Sequence, residues 1–383
     1  MQINRALSLI KITAIARKEF YHLLRDFRSL YLAFAIPLLL ILLFGYALSL
    51  DVNNIETIVV DREKTDLSRD FIRSLEASPY FQIVEYADSM NAVSDALDRG
   101  RARLAVVIPV GWTADLRADR KAAMQVILDG SDPNFAGISS SYISGLIARY
   151  NANLLADFLN RHGMQKIAPP VNPQIRVWFN EEMESRNFII PGIIAIIVII
   201  VAALLTSLVI AREYENGTME TIRSLPIGAG EFLLGKAAPY FLIALTDVLI
   251  AVLMGQMLFG IVMKASFWLM MLASSLYITV ALTLGLLISS VTKSQMTANQ
   301  TAILITYLPS ILLSNFVFPV TNMPVVLQAV TRIIPATYYI EILSGIYLKN
   351  LGFSHLWPDL LALLIMSSML ALLNYLVLRK EGF

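Results

Sequence analysis

Gly230, Gly235 and Lys236 stand at the G-x-x-x-x-G-K spacing of a phosphate-binding loop, in which backbone N–H groups and a lysine cradle nucleotide phosphates. The next residue is Ala237, where that chemistry needs a Ser or Thr hydroxyl for Mg²⁺. The interior of the motif is apolar and no strand precedes it, so the pattern reads as a turn at Gly228 and Gly230 running into an apolar helix edged by Lys236. Metal chemistry is equally poorly supplied: the three histidines, His22, His162 and His355, are far apart and no His-Glu-x-x-His pattern occurs. Cysteine is absent, which removes disulfides, thiol nucleophiles, iron–sulfur clusters and Cys-ligated zinc. No residue is assigned a catalytic or metal-binding role, and no cofactor is expected on this chain.

Asp247 is the exception that needs an account, because a carboxylate deep in an apolar run is costly and faces a bundle interior or a watery cavity. Two readings stand. It contacts a cationic substrate or a proton, or it is satisfied by hydroxyl or amide neighbours such as Thr246, Gln256 or Tyr277.

The segment 211–228 carries a denser pattern. Asn216-Gly217 makes a turn, Thr218 is placed to cap a helix, Glu220 suits the helix's positive end, and Pro226 stops it within about two turns. Met219, Ile222 and Leu225 align on one side. A short helix with an apolar stripe amid charge suits a partner's groove; a connector that merely turns the chain is the competing reading.

These residues must be positioned by membrane-spanning elements. Hydrophobic residues make up 57% of the 383 and charged residues 15%, against about 25% charged in ordinary soluble proteins. Six apolar stretches, 29–50, 188–210, 238–262, 266–291, 301–318 and 356–378, approach or exceed the roughly 20 helical residues needed to cross a bilayer. Asp247 and Asp359 are their only charges. Between the first two lies 51–187, which holds 19 of the 29 acidic and 15 of the 30 basic side chains and reads as a folded domain in its own right. It alternates strand-like and helix-like segments, with strands at 55–60, 81–86, 104–108 and 124–128 and helical patterns between them, hence βαβ organisation.

Orientation follows the Lys and Arg of the short segments. Arg5, Lys11, Arg17, Lys18, Arg25, Arg28, Arg212, Arg223, Lys236, Lys293, Arg379 and Lys380 fall on one side, against Lys264, Arg332 and Lys349 on the other. Both termini are therefore expected in the cytoplasm, with the 51–187 domain outside. The first apolar stretch is too long for a signal-peptide core, and Glu19 and Asp26 precede it, so it reads as a retained anchor. Residues 1–28 carry Leu9, Ile12, Ala16, Phe20, Leu23 and Phe27 at spacings of three and four, with Lys11, Lys18, His22 and Arg25 opposite. That pattern predicts an interfacial helix whose basic face meets anionic lipid, or else a helix packed on another subunit. The net charge of +1 gives no field for nucleic acid. The cytoplasmic segments are at most about 28 residues long, too short for a kinase, cyclase or nucleotide-binding domain of its own.

The run Arg212-Glu213-x-Glu215-x-Gly217-Thr218-x-Glu220, followed by Pro226 and Gly235-Lys236, resembles the signature of permease subunits of type-2 ATP-binding-cassette exporters. The resemblance covers nearly the whole chain, including the Pro-punctuated segments at 318–324 and 332–335. It implies a polytopic α-helical membrane protein with six transmembrane helices and an α/β extracytoplasmic domain inserted between helices one and two. A five-helix bundle at 188–378, a coupling helix at about 212–228, a re-entrant segment at about 319–355 and a cytoplasmic tail at 379–383 complete it. Arg212, Glu213, Glu215, Gly217, Thr218, Met219, Glu220, Ile222, Leu225 and Pro226 would then couple to a separate ATPase. Two copies of that ATPase would use ATP and Mg²⁺, and a second permease copy or paralogue would complete the pathway. A periplasmic adaptor protein and membrane lipids are the further partners, and a bacterial inner membrane the location. A hydrophobic or amphiphilic cargo, a drug or lipid-like molecule, fits spans with few charges. The competing functions are a membrane scaffold or receptor whose outer domain binds a ligand, and an ion-coupled transporter using Asp247.

Overall fold

The computed structural model describes residues 8–47, 54–118, 120–131, 133–161, 179 and 185–383. The chain divides into two compact units, one made of residues 1–49 with 177–383 and the other of residues 50–176.

The first unit is helical. It opens with α1 (Leu9–Arg25) and α2 (Phe27–Ala47), the latter carrying Pro37 and a shorter apolar stretch, Ala33–Tyr46. The second unit follows, with β1 (Ile55–Asp61), α3 (Asp66–Glu76), β2 (Phe81–Tyr86), α4 (Met90–Asp98), β3 (Leu104–Ile108), α5 (Trp112–Arg117), β4 (Gln125–Leu128) and α6 (Pro133–Arg161). The chain then returns to the helical unit through α7 (Arg186–Glu215), α8 (Thr218–Ser224), α9 (Ala229–Phe259) and α10 (Phe267–Thr292). After α11 (Gln295–Ala302) comes a π-helical turn (Ile303–Tyr307), then α12 (Leu308–Leu312), a 3₁₀ turn (Val320–Asn322), α13 (Val325–Thr331), α14 (Pro335–Tyr347) and α15 (Phe353–Lys380).

Among the described residues, four helices are long and apolar enough to cross a membrane: α7, α9, α10 and α15. The expected span at 301–318 differs. Helix runs from Gln295 to Leu312, interrupted by the π turn, and ends before Phe318. Gln295, Asn299 and Gln300 look like a polar connector in sequence, yet Ala298 and Ala302 of α11 are buried with Ala211 and Ile288. The region expected as re-entrant forms the 3₁₀ turn and two short helices. Of these, α14 is drawn into the bundle, where the Tyr339 ring stacks on Tyr277 at 4.1 Å and the two hydroxyls of Ser274 and Tyr339 lie 2.7 Å apart.

Helix α7 is apolar all round, as a helix surrounded by others must be. It packs against α2, α9, α10, α11 and α14 and is buried over nearly its whole apolar length.

The other unit is a four-stranded sheet in the order β2-β1-β3-β4. β1 runs parallel to β2 and β3, and β4 pairs antiparallel with β3. Both central strands are buried on both faces, as crossover helices require. Ile55, Val59, Leu104, Val106 and Ile108 meet Phe71, Trp112, Phe135 and Ile143 on one side. Ile58, Val60, Ala105 and Val107 meet Val93 and Ala96 of α4 on the other. Beyond β1, the Glu63 carboxylate accepts hydrogen bonds from the Gly111 and Thr113 amides at 2.6 and 2.9 Å, which holds it below the ordinary carboxylate range.

Candidate functional site: a charged helix junction

Helix α7 continues through Arg212, Glu213 and Glu215, so these residues sit on its last turn and not in a loop. Asn216 ends the helix, and Gly217, at φ 69°, makes the left-handed residue that lets the chain reverse into α8. The capping expectation needs correction here. Gly217 occupies the N-cap position, and Thr218 is the first helical residue, its hydroxyl donating to Glu213 Oε2. Leu225 is extended at ψ 151°, as a residue before proline prefers, and Pro226 keeps the chain from continuing as helix.

The apolar stripe of α8 turns inward, contrary to the reading that offered Met219, Ile222 and Leu225 together to a partner. Met219 is 2% exposed in the bundle core, Ile222 packs against that core, and only Leu225 stands out, at 49%. The face left open consists of Glu215, Asn216, Gly217, Thr218, Glu220, Thr221, Ser224, Leu225 and Pro226. The physical reason is the shortness of α8: two turns need their own apolar side chains to dock them.

Glu213 also faces inward, into a buried ionic node. Lys236 Nζ donates to Glu19 Oε2 at 2.7 Å and to Glu213 Oε1 at 2.5 Å. Lys18 Nζ reaches the same Glu213 oxygen at 3.0 Å, and Tyr240 Oη donates to Glu19 Oε1 at 3.2 Å. Two cations and two carboxylates thus meet where α1, α7 and α9 converge. Gly235 makes the convergence possible. A Cβ there would lie 2.6 Å from Ile15 Cβ and 3.1 Å from the Ile12 carbonyl oxygen, so only glycine lets α1 lie this close to α9. The apparent phosphate-loop pair Gly235-Lys236 is therefore a packing and ion-pairing device.

The basic face predicted for α1 is tied to protein only in part: Lys11 and Lys18 each find a protein partner, while Lys18, His22 and Arg25 stay exposed. Lys11 Nζ donates to the Pro226 carbonyl at 2.5 Å and lies 3.5 Å from Glu231, whose Oε1 accepts the Ser8 amide at 2.9 Å. Arg212 contacts His22 Nδ1 at 3.0 Å and Asp26 at 3.6 Å. Leu9, Ile10, Phe20, Tyr21 and Leu24 are the exposed large apolar side chains of α1. Arg25 borders a cavity of about 760 Å³ with Lys18, Tyr21, His22 and Asp26. Sequence periodicity cannot show these ties, because charge paired with charge and charge facing water share one spacing.

On the other flank of α8, Glu215 accepts the Gln295 amide at 2.8 Å. A second, shallower cluster there was not foreseen. Arg223 donates to Tyr214 Oη at 2.7 Å and to Glu381 Oε2 at 3.0 Å, and Lys293 Nζ lies 2.5 Å from Glu381 Oε1. The signal available in sequence was a lone acid, Glu381, after two basic residues, and nothing in that pattern names its partners.

Asp247, on α9, is 5% exposed, and its Oδ2 has no hydrogen-bond partner among the described residues. Two of the three neighbours expected to satisfy it are engaged elsewhere: Thr246 donates to the Leu242 carbonyl at 2.8 Å and Tyr277 to the Ala195 carbonyl at 3.0 Å. Among the described residues no group of three or more His, Asp or Glu side chains is placed to hold a metal ion.

A model of the family described as ABC-2 family transporter protein matches residues 27–376. The chain belongs to that family. It is a membrane permease subunit of an ATP-binding-cassette exporter, and the family implies an ABC ATPase as its partner. It is 36% identical over 348 residues to the probable multidrug ABC transporter permease YbhS of Escherichia coli K12, covering 91% of each chain. It is 29% identical over 373 residues to the probable multidrug permease YbhR of the same organism, covering 97% of this chain and 99% of YbhR. The inner membrane transport permease YhhJ, also from Escherichia coli K12, is 27% identical over 311 residues, 80% of each chain.

Proposed function

We propose that this permease exports hydrophobic or amphiphilic molecules, drug-like or lipid-like, and that the ATPase engages it at α8. The observation that carries the coupling assignment is the mounting of α8. Met219 buries it in the bundle, Thr218 ties it to Glu213, and Glu213 is tied through Lys236 to α1 and α9. A push on the open face from Glu220 to Leu225 is therefore delivered to three helices at once, and a difference in ATPase affinity between two bundle states does the work. ATP and Mg²⁺ are used in two copies of the ATPase, and a second permease copy or paralogue completes the pathway.

In this reading α2 and the α11–α12 run add two spans to the four long helices, both termini are cytoplasmic, and the α/β unit lies outside a bacterial inner membrane, where it gates cargo or receives an adaptor. The exposed apolar side chains of α1 enter the membrane surface, and the cavity beside Arg25 suits an anionic lipid headgroup. Asp247, buried without a hydrogen-bond partner for Oδ2, offers a contact for a cationic group of the cargo.

The test is affinity purification in mild detergent with an ATPase assay on what co-purifies. A stoichiometric P-loop ATPase with wild type, lost with Leu225→Asp in a protein that still folds, is the expected result. Retention of the ATPase by that variant would move the docking site away from α8. Asp247→Asn is expected to lower export of cationic compounds more than neutral ones in inverted vesicles.

A further inference from the structure

The segment that follows α15 does more than end a helix. Gly382, at φ 101°, turns the chain, the Phe383 ring comes to 4.9 Å from Phe232 on the first turns of α9, and the buried Leu378 anchors the approach. This turn carries Glu381 to the meeting point of three other elements. Its Oε2 accepts from Arg223 of α8 at 3.0 Å and from the Tyr214 hydroxyl at the end of α7. Its Oε1 pairs at 2.5 Å with Lys293, the left-handed residue that closes α10. Arg223 and Lys293 also flank the Tyr214 ring, at 5.4 and 4.9 Å from its centroid. Glu381 is the only carboxylate the structure pairs with either cation among the described residues.

We infer that Glu381 is a positioning residue for α8, a strap by which the segment after α15 holds the last turn of the proposed docking helix against the ends of α7 and α10. α8 is held from two ends. Its first turn is fixed by Gly217, Thr218 and the buried Met219, its last by Ile222, packed against the bundle core, and by the bonds of Arg223 to Glu381 and Tyr214. Releasing Arg223 leaves a two-turn helix, too short to persist by propensity, with only the partly buried Ile222 to hold its last turn. The orientation of the exposed Thr221, Ser224 and Leu225 then depends on a carboxylate more than 150 residues away in the chain.

The functional arm of this inference rests on α8 being the ATPase contact; the positional arm does not. The experiment compares full-length wild type, Glu381→Gln and Glu381→Asp in nanodiscs by hydrogen exchange across residues 214–226, with transport and ATP hydrolysis measured alongside in vesicles containing the co-purified ATPase. Glu381→Gln is expected to speed exchange at α8 about tenfold or more, the scale of one hydrogen bond to a charged group, with no comparable change in the body of α10 or in α15 before residue 378. It is also expected to lower cargo moved per ATP hydrolysed while the ATPase still co-purifies, and Glu381→Asp restores part of both. Equal exchange at α8 in wild type and Glu381→Gln overturns the strap outright. If exchange rises but cargo per ATP is unchanged, the positioning role in coupling is overturned. If no ATPase accompanies wild type at all, it is the reading of α8 as the contact that fails, while the exchange comparison still decides the strap.

Discussion

Two ionic clusters brace the same short helix, and they differ mainly in depth. At the Lys236 node the side chains of Lys236, Glu19 and Glu213 are 2%, 4% and 10% exposed; at the Glu381 node Glu381, Arg223 and Lys293 are 17%, 28% and 46% exposed. Three charges removed from water must be matched almost completely, and Lys18 and Tyr240 complete the matching. Its members therefore act as one unit, and removing any one leaves an uncompensated charge. The Glu381 node keeps partial hydration, so losing a member costs position more than fold. The same chemistry serves assembly of the bundle at one depth and placement of a surface helix at the other.

The strongest way to break this contrast is Lys236→Met, which leaves the buried Glu19 without a cation and Glu213 with only the half-exposed Lys18, and is expected to cost about 3–5 kcal/mol in denaturant titration of the detergent-solubilised protein. Adding Glu19→Gln and Glu213→Gln should return most of that loss. If the triple variant is no better than the single one, the node is not a charge-matched unit.

Met219 and Leu225 sharpen the distinction within α8. Met219→Ala, at a core position, is expected to lose about 2–5 kcal/mol. Leu225→Asp, on the open face, should stay within about 0.5 kcal/mol of wild type while losing the ATPase. A reversed order of stabilities would mean that α8 is turned the other way.

Gly235→Leu follows. Its side chain must displace Ile15, so a loss of about 1–3 kcal/mol is expected, and limited proteolysis should show α1 released from α9. The smallest effect lies in the α/β unit. Glu63 titrates below its ordinary value of 4.5 because the Gly111 and Thr113 amides bond its ionised form. A lowered folded-state pKa means that its contribution is complete above about pH 4.5 and is lost as pH falls through the lower folded value. Exchange protection of those two amides should therefore exceed that of Glu63→Gln at pH 6 and converge with it as pH falls through the lowered folded-state value.

The sequence by itself determined a great deal where one physical rule acts over short range. The strands at 55–61, 81–86, 104–108 and 125–128 lie within a residue or two of where the short β-branched and apolar segments put them, since a strand's buried faces leave a signal that neighbours in the chain carry alone. The four long apolar helices are legible for the same reason, as is the reversal at Asn216-Gly217. The motif from Arg212 to Glu220, together with Pro226, Gly235-Lys236 and the order of the apolar stretches, points to the family. What only the tertiary structure decided is the direction in which each charged or short amphipathic element faces. Lys11 and Lys18 were read toward lipid and meet protein; Met219 and Ile222 were read toward a partner and meet the bundle. Periodicity fixes which residues share a face but not what that face meets, because a carboxylate from 217 residues away, Glu19 for Lys236, leaves no mark on local spacing. The Glu381 strap is the extreme case: three of its partners come from three other elements, and only their packing brings them to one carboxylate.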